Sequence, residues 1–231
     1  MSGAAHVGEA ARTAVIAIDG PSGSGKSSVA RAVAERLGVL YLDTGAMYRA
    51  VGLLAREAGV SPDDDAAVTS VAAQADLRFY DDGRLHCGAR DLSAAIRTLE
   101  AGESASRVSA LPGVRRLLVE RQRALARERA VVMEGRDIGT NVLPDAAVKV
   151  YLTASPRVRA ERRWRELRAG GEDVSFDDVL ANVIERDRRD SERTVAPLRR
   201  ADDAVAVDTT AMTLDEVVAA VETIARRGLG R

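Results

Sequence analysis

Residues 20–27 read Gly20-Pro21-Ser22-Gly23-Ser24-Gly25-Lys26-Ser27, and these residue types at this spacing suit one chemistry, the holding of a chain of phosphates. Glycines at 20, 23 and 25 permit backbone conformations that a side chain forbids, so successive N–H groups can turn inward as an anion nest. A helix starting at the end of the loop adds its positive terminus. Lys26 supplies a mobile point charge for β- and γ-phosphates, and the Ser27 hydroxyl is placed to ligate Mg²⁺. Lysine usage sharpens the reading. Of 34 Lys+Arg, only Lys26 and Lys149 are lysine, so a composition that otherwise writes arginine keeps a compact ammonium here.

Further candidates lie where strands are expected to end. Arg49 falls about one helical turn after Leu42-Asp43, and Glu134, Arg136 and Asp137 follow directly on an apolar run. The carboxyl ends of parallel strands border the ligand crevice, although structural ion pairing suits the same residues. Arg186, Asp190 and Arg193, at i, i+4 and i+7, share a stripe flanking an apolar one. Arg159, Arg162 and Arg163 share another helical face, and Arg115 opens an arginine-rich helix. On spacing alone, a solvated arginine is an equal reading for Arg49 and an ion pair for the 186/190/193 stripe.

The elements that must position these groups follow from periodicity. Apolar runs at 14–18, 39–42, 130–134, 147–152 and 204–208 read as short strands, those at 14–18 and 130–134 as buried ones. Helices are expected after the glycine loop (Val29, Val33 and Leu37 inward), from Ala46 to about Gly59 with Asp43 or Thr44 as cap, and over Val114–Arg129 with Val114, Leu117, Leu118, Ala124 and Leu125 inward. Pro156 opens another, which ends at a glycine tip at 169–173. Ser175 caps the next, with Asp178 at the capping-box position and Phe176, Val179, Leu180, Val183 and Ile184 as its core stripe, stopped by Pro197. Thr213 caps the last, with Leu214, Val217, Val218, Val221 and Ile224 inward. Asp81-Asp82-Gly83 between Asp76–Tyr80 and Arg84–Cys87 signals a hairpin. Alternating β and α with one hairpin insert predicts an α/β protein: a doubly wound, five-stranded parallel sheet with helices on both faces, a small antiparallel β insert lobe and a helical lid hinged at the glycine tip.

Composition excludes other classes. The chain has 231 residues, 46% hydrophobic, with net charge −1 and 3% aromatic residues. That leaves little for tracking a nucleic-acid backbone or stacking bases. No stretch is long and apolar enough to span a bilayer. One cysteine, Cys87, and two isolated histidines, His6 and His86, make no disulfide framework or metal clasp. Residues 1–13 read as a flexible tail without a signal peptide, so a cytoplasmic protein is expected, monomeric by default. A guanine-reading Asn-Lys-x-Asp motif cannot exist with lysine only at 26 and 149.

Four segments together carry a more specific likeness: Ile18–Ser27, Leu42–Arg49, Glu134–Thr140 and Glu185–Leu198. In this order the chain resembles the bacterial cytidylate kinases among the nucleoside-monophosphate kinases. The resemblance implies transfer of the ATP γ-phosphoryl group to CMP or dCMP with Mg²⁺. ATP would contact Gly20, Pro21, Ser22, Gly23, Ser24, Gly25, Lys26, Ser27 and Ser28, with Ser27 on the metal. CMP would contact Thr44, Ser106, Arg115 and Asp137 around the base, Arg49 and Arg136 at the phosphate, Arg186 and Asp190 at the ribose, and Arg193 at phosphate. Lys26, Arg136, Arg186 and Arg193 would be the catalytic cations, and one of Arg159, Arg162 and Arg163 would engage ATP. The domain 14–231 would divide into a core (14–62, 108–155, 195–231), a monophosphate-binding insert (about 63–107) and a lid (about 156–194). The expected partners are these small molecules, with neither nucleic acid nor membrane. The alternative is a kinase for another monophosphate, such as UMP. Gly113 departs from the family's usual arginine or lysine and predicts a looser helix start before Arg115.

Overall fold

The computed structural model describes residues 14–80 and 83–230. The expected tail at 1–13 with His6, and the hairpin-turn residues Asp81 and Asp82, lie outside the described residues. Five strands form one parallel sheet in the order β2-β6-β1-β7-β8. They are β1 (Val15–Asp19), β2 (Leu40–Asp43), β6 (Val131–Gly135), β7 (Val148–Thr153) and β8 (Val205–Asp208). This is the expected doubly wound arrangement. The chain steps outward from β1 to β2 and later returns to both sides of β1, so a crevice opens at the carboxyl ends of β1 and β6. Register aligns those ends: Asp19 pairs with Gly135 on one side and Tyr151 on the other.

Alternation along the strands feeds two cores. Ile16, Ile18, Val132, Val150 and Leu152 pack against α1 (Lys26–Leu37) and α8 (Leu214–Gly228). Ala17, Val131 and Met133 face α5 (Pro112–Glu128) through Val119 and Ala126. Three more helices form a separate cluster with α5: α2 (Thr44–Glu57), α3 (Asp65–Gln74) and α4 (Leu99–Val108). A small antiparallel sheet of β3 (Leu77–Phe79), β4 (Leu85–Cys87) and β5 (Arg90–Asp91) rests on α2. The last pair, α6 (Pro156–Ala169) and α7 (Phe176–Glu192), shares its own small core of Ala160, Leu167, Val179 and Val183. No helix among the described residues is long and apolar enough to cross a membrane.

The structure differs from the sequence expectations at several points. The insert holds a third strand, β5, and a helix, α3, beyond the hairpin; Asp64 caps that helix by accepting from Ala67 N at 3.0 Å. The buried face of α5 is Val114, Arg115, Leu118, Val119, Gln122 and Ala126, so polar side chains occupy an inner face that borders the crevice. Helix α7 stops at Glu192, before Pro197, because Leu198 N turns back to Asp190 O at 2.7 Å. Ile184, expected inward, is 53% exposed, since α7 buries Val179, Val183 and Asp190 instead. Leu214 is 52% exposed because it sits in the first turn of α8, at the mouth of the crevice. Asp178 accepts from the Ser175 hydroxyl at 2.6 Å, while the Thr213–Glu216 box is reciprocal. The start of α5 is not loose: Asp65 accepts from Gly113 N at 3.0 Å, and a β-carbon there would lie 2.4 Å from Thr69 Oγ1.

Candidate active site

A cleft of about 930 Å³ opens at the carboxyl ends of β1 and β6. Its lining has ten cationic and six acidic residues, although the whole chain carries net charge −1. The excess positive charge is therefore concentrated where a polyanion would bind.

One wall is the β1–α1 loop. A β-carbon on Gly20 would lie 2.0 Å from Leu152 O, and one on Gly23, which has φ +74°, would lie 2.6 Å from Arg159 O. Glycine is required at both positions. Gly20 and Pro21 lie behind the lining, while Ser22 through Ser28 line the cleft. Lys26 is buried; its Nζ donates to Pro21 O at 2.7 Å and Ser24 Oγ at 3.4 Å. Burial, then the nearby Arg136 and Arg186 guanidinium groups, depress its pKa to about 7. Ser27 hydrogen-bonds the buried Glu134 carboxylate, which burial and the neighbouring Asp43 push above the usual carboxylate range. Tyr41 donates its hydroxyl to Glu134 Oε1 at 2.7 Å.

The opposite wall draws on several elements. Asp43 caps α2 and pairs with Arg49 Nη2 at 2.7 Å; Thr44 donates to Glu134 O at 2.7 Å. Arg136, on the turn after β6, donates to Asp190 Oδ2 at 3.1 Å. Asp190 also takes Ser106 Oγ from α4 at 3.4 Å and has Arg186 Nε 3.9 Å away. Burial opposes ionisation of Asp190, yet Arg136, Arg186 and Arg193 outweigh it and hold its pKa low. Arg115 from α5 and Asp137 form a buried ion pair. Arg193, just past the end of α7 and off its helical stripe, reaches Ser109 Oγ at 3.3 Å. Burial and Arg136 lower the pKa of Arg186 to about 9. Three buried donors, Arg49 Nε, Arg186 Nε and Arg193 Nη2, have no hydrogen-bond partner, and an anion with several oxygens would satisfy them.

The structure thus brings Thr44, Arg49, Ser106, Arg115, Arg136, Asp137, Arg186, Asp190 and Arg193 to one cleft with Lys26. The three arginines of α6 part company. Arg159 is buried, bound to Asp187 and donating to Ser22 O at 3.0 Å, so it buttresses the loop from behind. Arg162 and Arg163 line the cleft: Arg162 grips Thr209 O at 2.7 Å and Oγ1 at 2.9 Å, while Arg163 reaches Arg97 O at 3.2 Å. Sequence reasoning passed over Thr209, Met212 and Val217 of the lining. Thr209 directly follows β8, the same strand-end signal that marked Arg136.

Comparison with known proteins meets this geometry. A family described as "Cytidylate kinase" matches residues 16–227. A cytidylate kinase of Geobacter sulfurreducens is 46% identical over 218 residues, covering 93% of this chain and 94% of that one. One of Methylococcus capsulatus is 48% identical over 206 residues, covering 88% and 93%. With the likeness running through the sheet, the glycine loop and the arginine wall alike, the chain belongs to the cytidylate kinase family.

Proposed function

We propose that this chain transfers the γ-phosphoryl group of ATP to CMP or dCMP, giving CDP or dCDP and ADP. One observation carries the reading. Lys26 on the loop wall and Arg136 and Arg186 on the other line the same cleft, where buried donors of Arg49, Arg186 and Arg193 have no hydrogen-bond partner. Two phosphate-binding sets are therefore held against each other, which is what phosphoryl transfer between phosphates needs. A CMP phosphate oxygen attacks the γ-phosphorus, the bond to the β,γ-bridging oxygen breaks, and that oxygen leaves with ADP. The attacking oxygen is already anionic, so no general base is required.

In this reading the loop 20–28 and Lys26 hold ATP. Ser27, with Glu134 beside it, would hold Mg²⁺; a hydroxyl and a carboxylate are the hard oxygen donors that ion takes. When bound, the ion neutralises and orients the β- and γ-phosphates. Arg49 and Arg136 clamp the CMP phosphate, Arg49 exchanging Asp43 for it. Arg186 and Asp190 take the ribose hydroxyls, which favours CMP modestly over dCMP, and Arg186 also serves with Lys26, Arg136 and Arg193 as a catalytic cation at the transferred phosphate. Ser106, Arg115, Asp137 and Thr44 surround the base. Cytosine offers an amino donor where uracil offers a carbonyl, so an ionised Asp137 accepts the first and repels the second.

Residues 63–107 act as the monophosphate lobe and 156–194 as a lid on the core formed by the rest. The helices α6 and α7 share an apolar core, to which α4 adds only Leu99, and this lets them move as a unit. A monomer in the cytoplasm, serving pyrimidine nucleotide metabolism, completes the proposal. An ADP-release assay with ATP and Mg²⁺ against CMP, dCMP, UMP, AMP, GMP and shikimate tests it. Turnover is expected for CMP and dCMP, and equal turnover of UMP would discard the base-reading argument. The variant Asp137→Ala should lower the CMP:UMP ratio of kcat/KM by about 10²-fold.

A further inference from the structure

The turn after β6 carries both Arg136 and Asp137, and its main chain is held from three directions. Asp19, at the end of β1, accepts Ile138 N at 2.8 Å and Gly139 N at 2.7 Å. Arg123 of α5 donates to Asn141 O at 2.7 Å and Val142 O at 2.9 Å. The turn closes on itself, with Asn141 N and Val142 N both directed at Asp137 O, at 2.9 and 3.1 Å.

A fixed main chain still leaves the Asp137 carboxylate free to rotate about its side-chain bonds. Two side chains meet it, and both meet the same oxygen. Arg115 Nη2 pairs with Oδ2, and Asn141 Nδ2 donates to Oδ2 at 3.1 Å. An ionised carboxylate only accepts, so Asn141 must present its amide nitrogen there. The other oxygen, Oδ1, faces Arg193 Nη2 at 3.6 Å, beyond hydrogen-bond distance.

The two partners differ in what they can hold. Arg115 comes from another element, buried with its Nη1 3.4 Å from Ser109 O, and its planar fork of donors can pair with either oxygen of a turning carboxylate, so it does not select one of them. Asn141 has a short stem on the same turn, and Arg123 holds its own carbonyl. It cannot follow. Nor does it line the cleft, so it acts through Asp137 rather than on a ligand.

We propose that Asn141 is a positioning residue for base selection: it pins Oδ2 of Asp137 and so presents Oδ1 to the exocyclic amino group of the substrate base. This rests on the reading of Asp137 as the base-reading carboxylate. Asn141→Leu removes the amide at similar volume. It should raise KM for CMP about tenfold, change kcat far less, leave KM for ATP alone, and lower the CMP:UMP ratio of kcat/KM about tenfold. Asn141→Asp keeps the shape but sets a second carboxylate against the first, and should lower the ratio at least as far.

Steady-state kinetics of both variants beside Asp137→Ala, with thermal unfolding of each, decide the matter. If both Asn141 variants keep the ratio within about twofold while Asp137→Ala abolishes it, the proposal fails and the reading of Asp137 stands. If Asp137→Ala also keeps the ratio, that reading fails and takes the proposal with it. A loss of Tm, kcat and ATP binding together at an unchanged ratio would make Asn141 merely structural and overturn the proposal. Should Asn141→Leu not fold, the near-isosteric Asn141→Asp carries the same comparison.

Discussion

The two walls of the cleft face each other but are built by opposite means. The loop wall is one continuous stretch, Ser22 to Ser28, working through its main chain and a single lysine. The other wall takes Arg49 from α2, Ser106 from α4, Arg115 from α5, Arg136 and Asp137 from the turn after β6, and Arg186 and Asp190 from α7. On the loop wall, local geometry makes the site, and Lys26 is held by Pro21 O and Ser24 Oγ of the same loop. On the arginine wall, tertiary assembly makes it, and carboxylates already partner several cations: Asp43 with Arg49, Asp190 with Arg136, Asp137 with Arg115. A ligand there must exchange partners. The loop wall therefore suits the transferred phosphates and the arginine wall suits recognition, since re-pairing rewards only a ligand with matching donors and acceptors.

Breaking the loop wall should cost most. Lys26→Ala removes its only ammonium, and kcat is expected to fall about 10³-fold, with little change in CMP affinity. Lys26→Arg should not restore it, because the Nζ position beside Pro21 O is buried and fits no guanidinium fork. A kcat for Lys26→Ala within tenfold of the parent would move the burden of catalysis to the arginines.

Breaking the arginine wall should cost less and show elsewhere. Arg49→Ala is expected to raise KM for CMP about 30-fold while KM for ATP stays put. If both constants rise together, the two walls are not separate binding surfaces.

How far each wall was legible in the sequence follows from how it is built. A strand, a glycine loop and a helix in contiguous order announce the phosphate nest without tertiary knowledge. Ser106 has nothing around it in sequence to mark it; only the fold of α4 brings it 3.4 Å from Asp190. Arg159, Arg162 and Arg163 share a helical face by spacing, yet one buttresses the loop and two line the cleft, because a face is wider than the site it borders. The five parallel strands are readable from apolar runs alternating with helical periods, whereas their order in the sheet is not, because local spacing does not say which strands become neighbours. Helix α3 was not read, although Asp64 before an Ala/Val run was its signal. Leu214 and Ile184 were misplaced because apolar spacing does not say where a helix leaves the core it packs on.

The walls should also titrate differently. With no anion bound, Lys26 sits at about 7, chiefly through burial and then Arg136. A bound triphosphate favours the charged form and raises that value, so ATP binding takes up a proton. Affinity for ATP is then full below pH 7 and falls as pH rises above it, by up to about tenfold per pH unit. Arg186, at about 9, keeps its charge between pH 7 and 8, so CMP affinity should be flat over that interval. Calorimetry of each ligand in buffers of different ionisation enthalpy reads both. Proton uptake confined to ATP sharpens the contrast, whereas equal uptake for the two ligands dissolves it.

The smallest effect separates wall from surface within one helix. Arg186 and Arg188 are two residues apart on α7, identical in type, and indistinguishable by composition. Arg186 lines the cleft with a buried donor lacking a partner. Arg188 is exposed and spends its guanidinium on Glu185 at 2.9 Å and Glu192 at 2.5 Å, one turn either side. Exposed pairs of this spacing are worth little. Arg188→Ala should therefore leave kcat and both KM values within about twofold of the parent. Arg186→Ala, by contrast, should lower kcat about 10²-fold, because it removes a donor from the region where charge moves. Were the two substitutions to give the same loss, helix position rather than burial against the phosphates would govern function on α7.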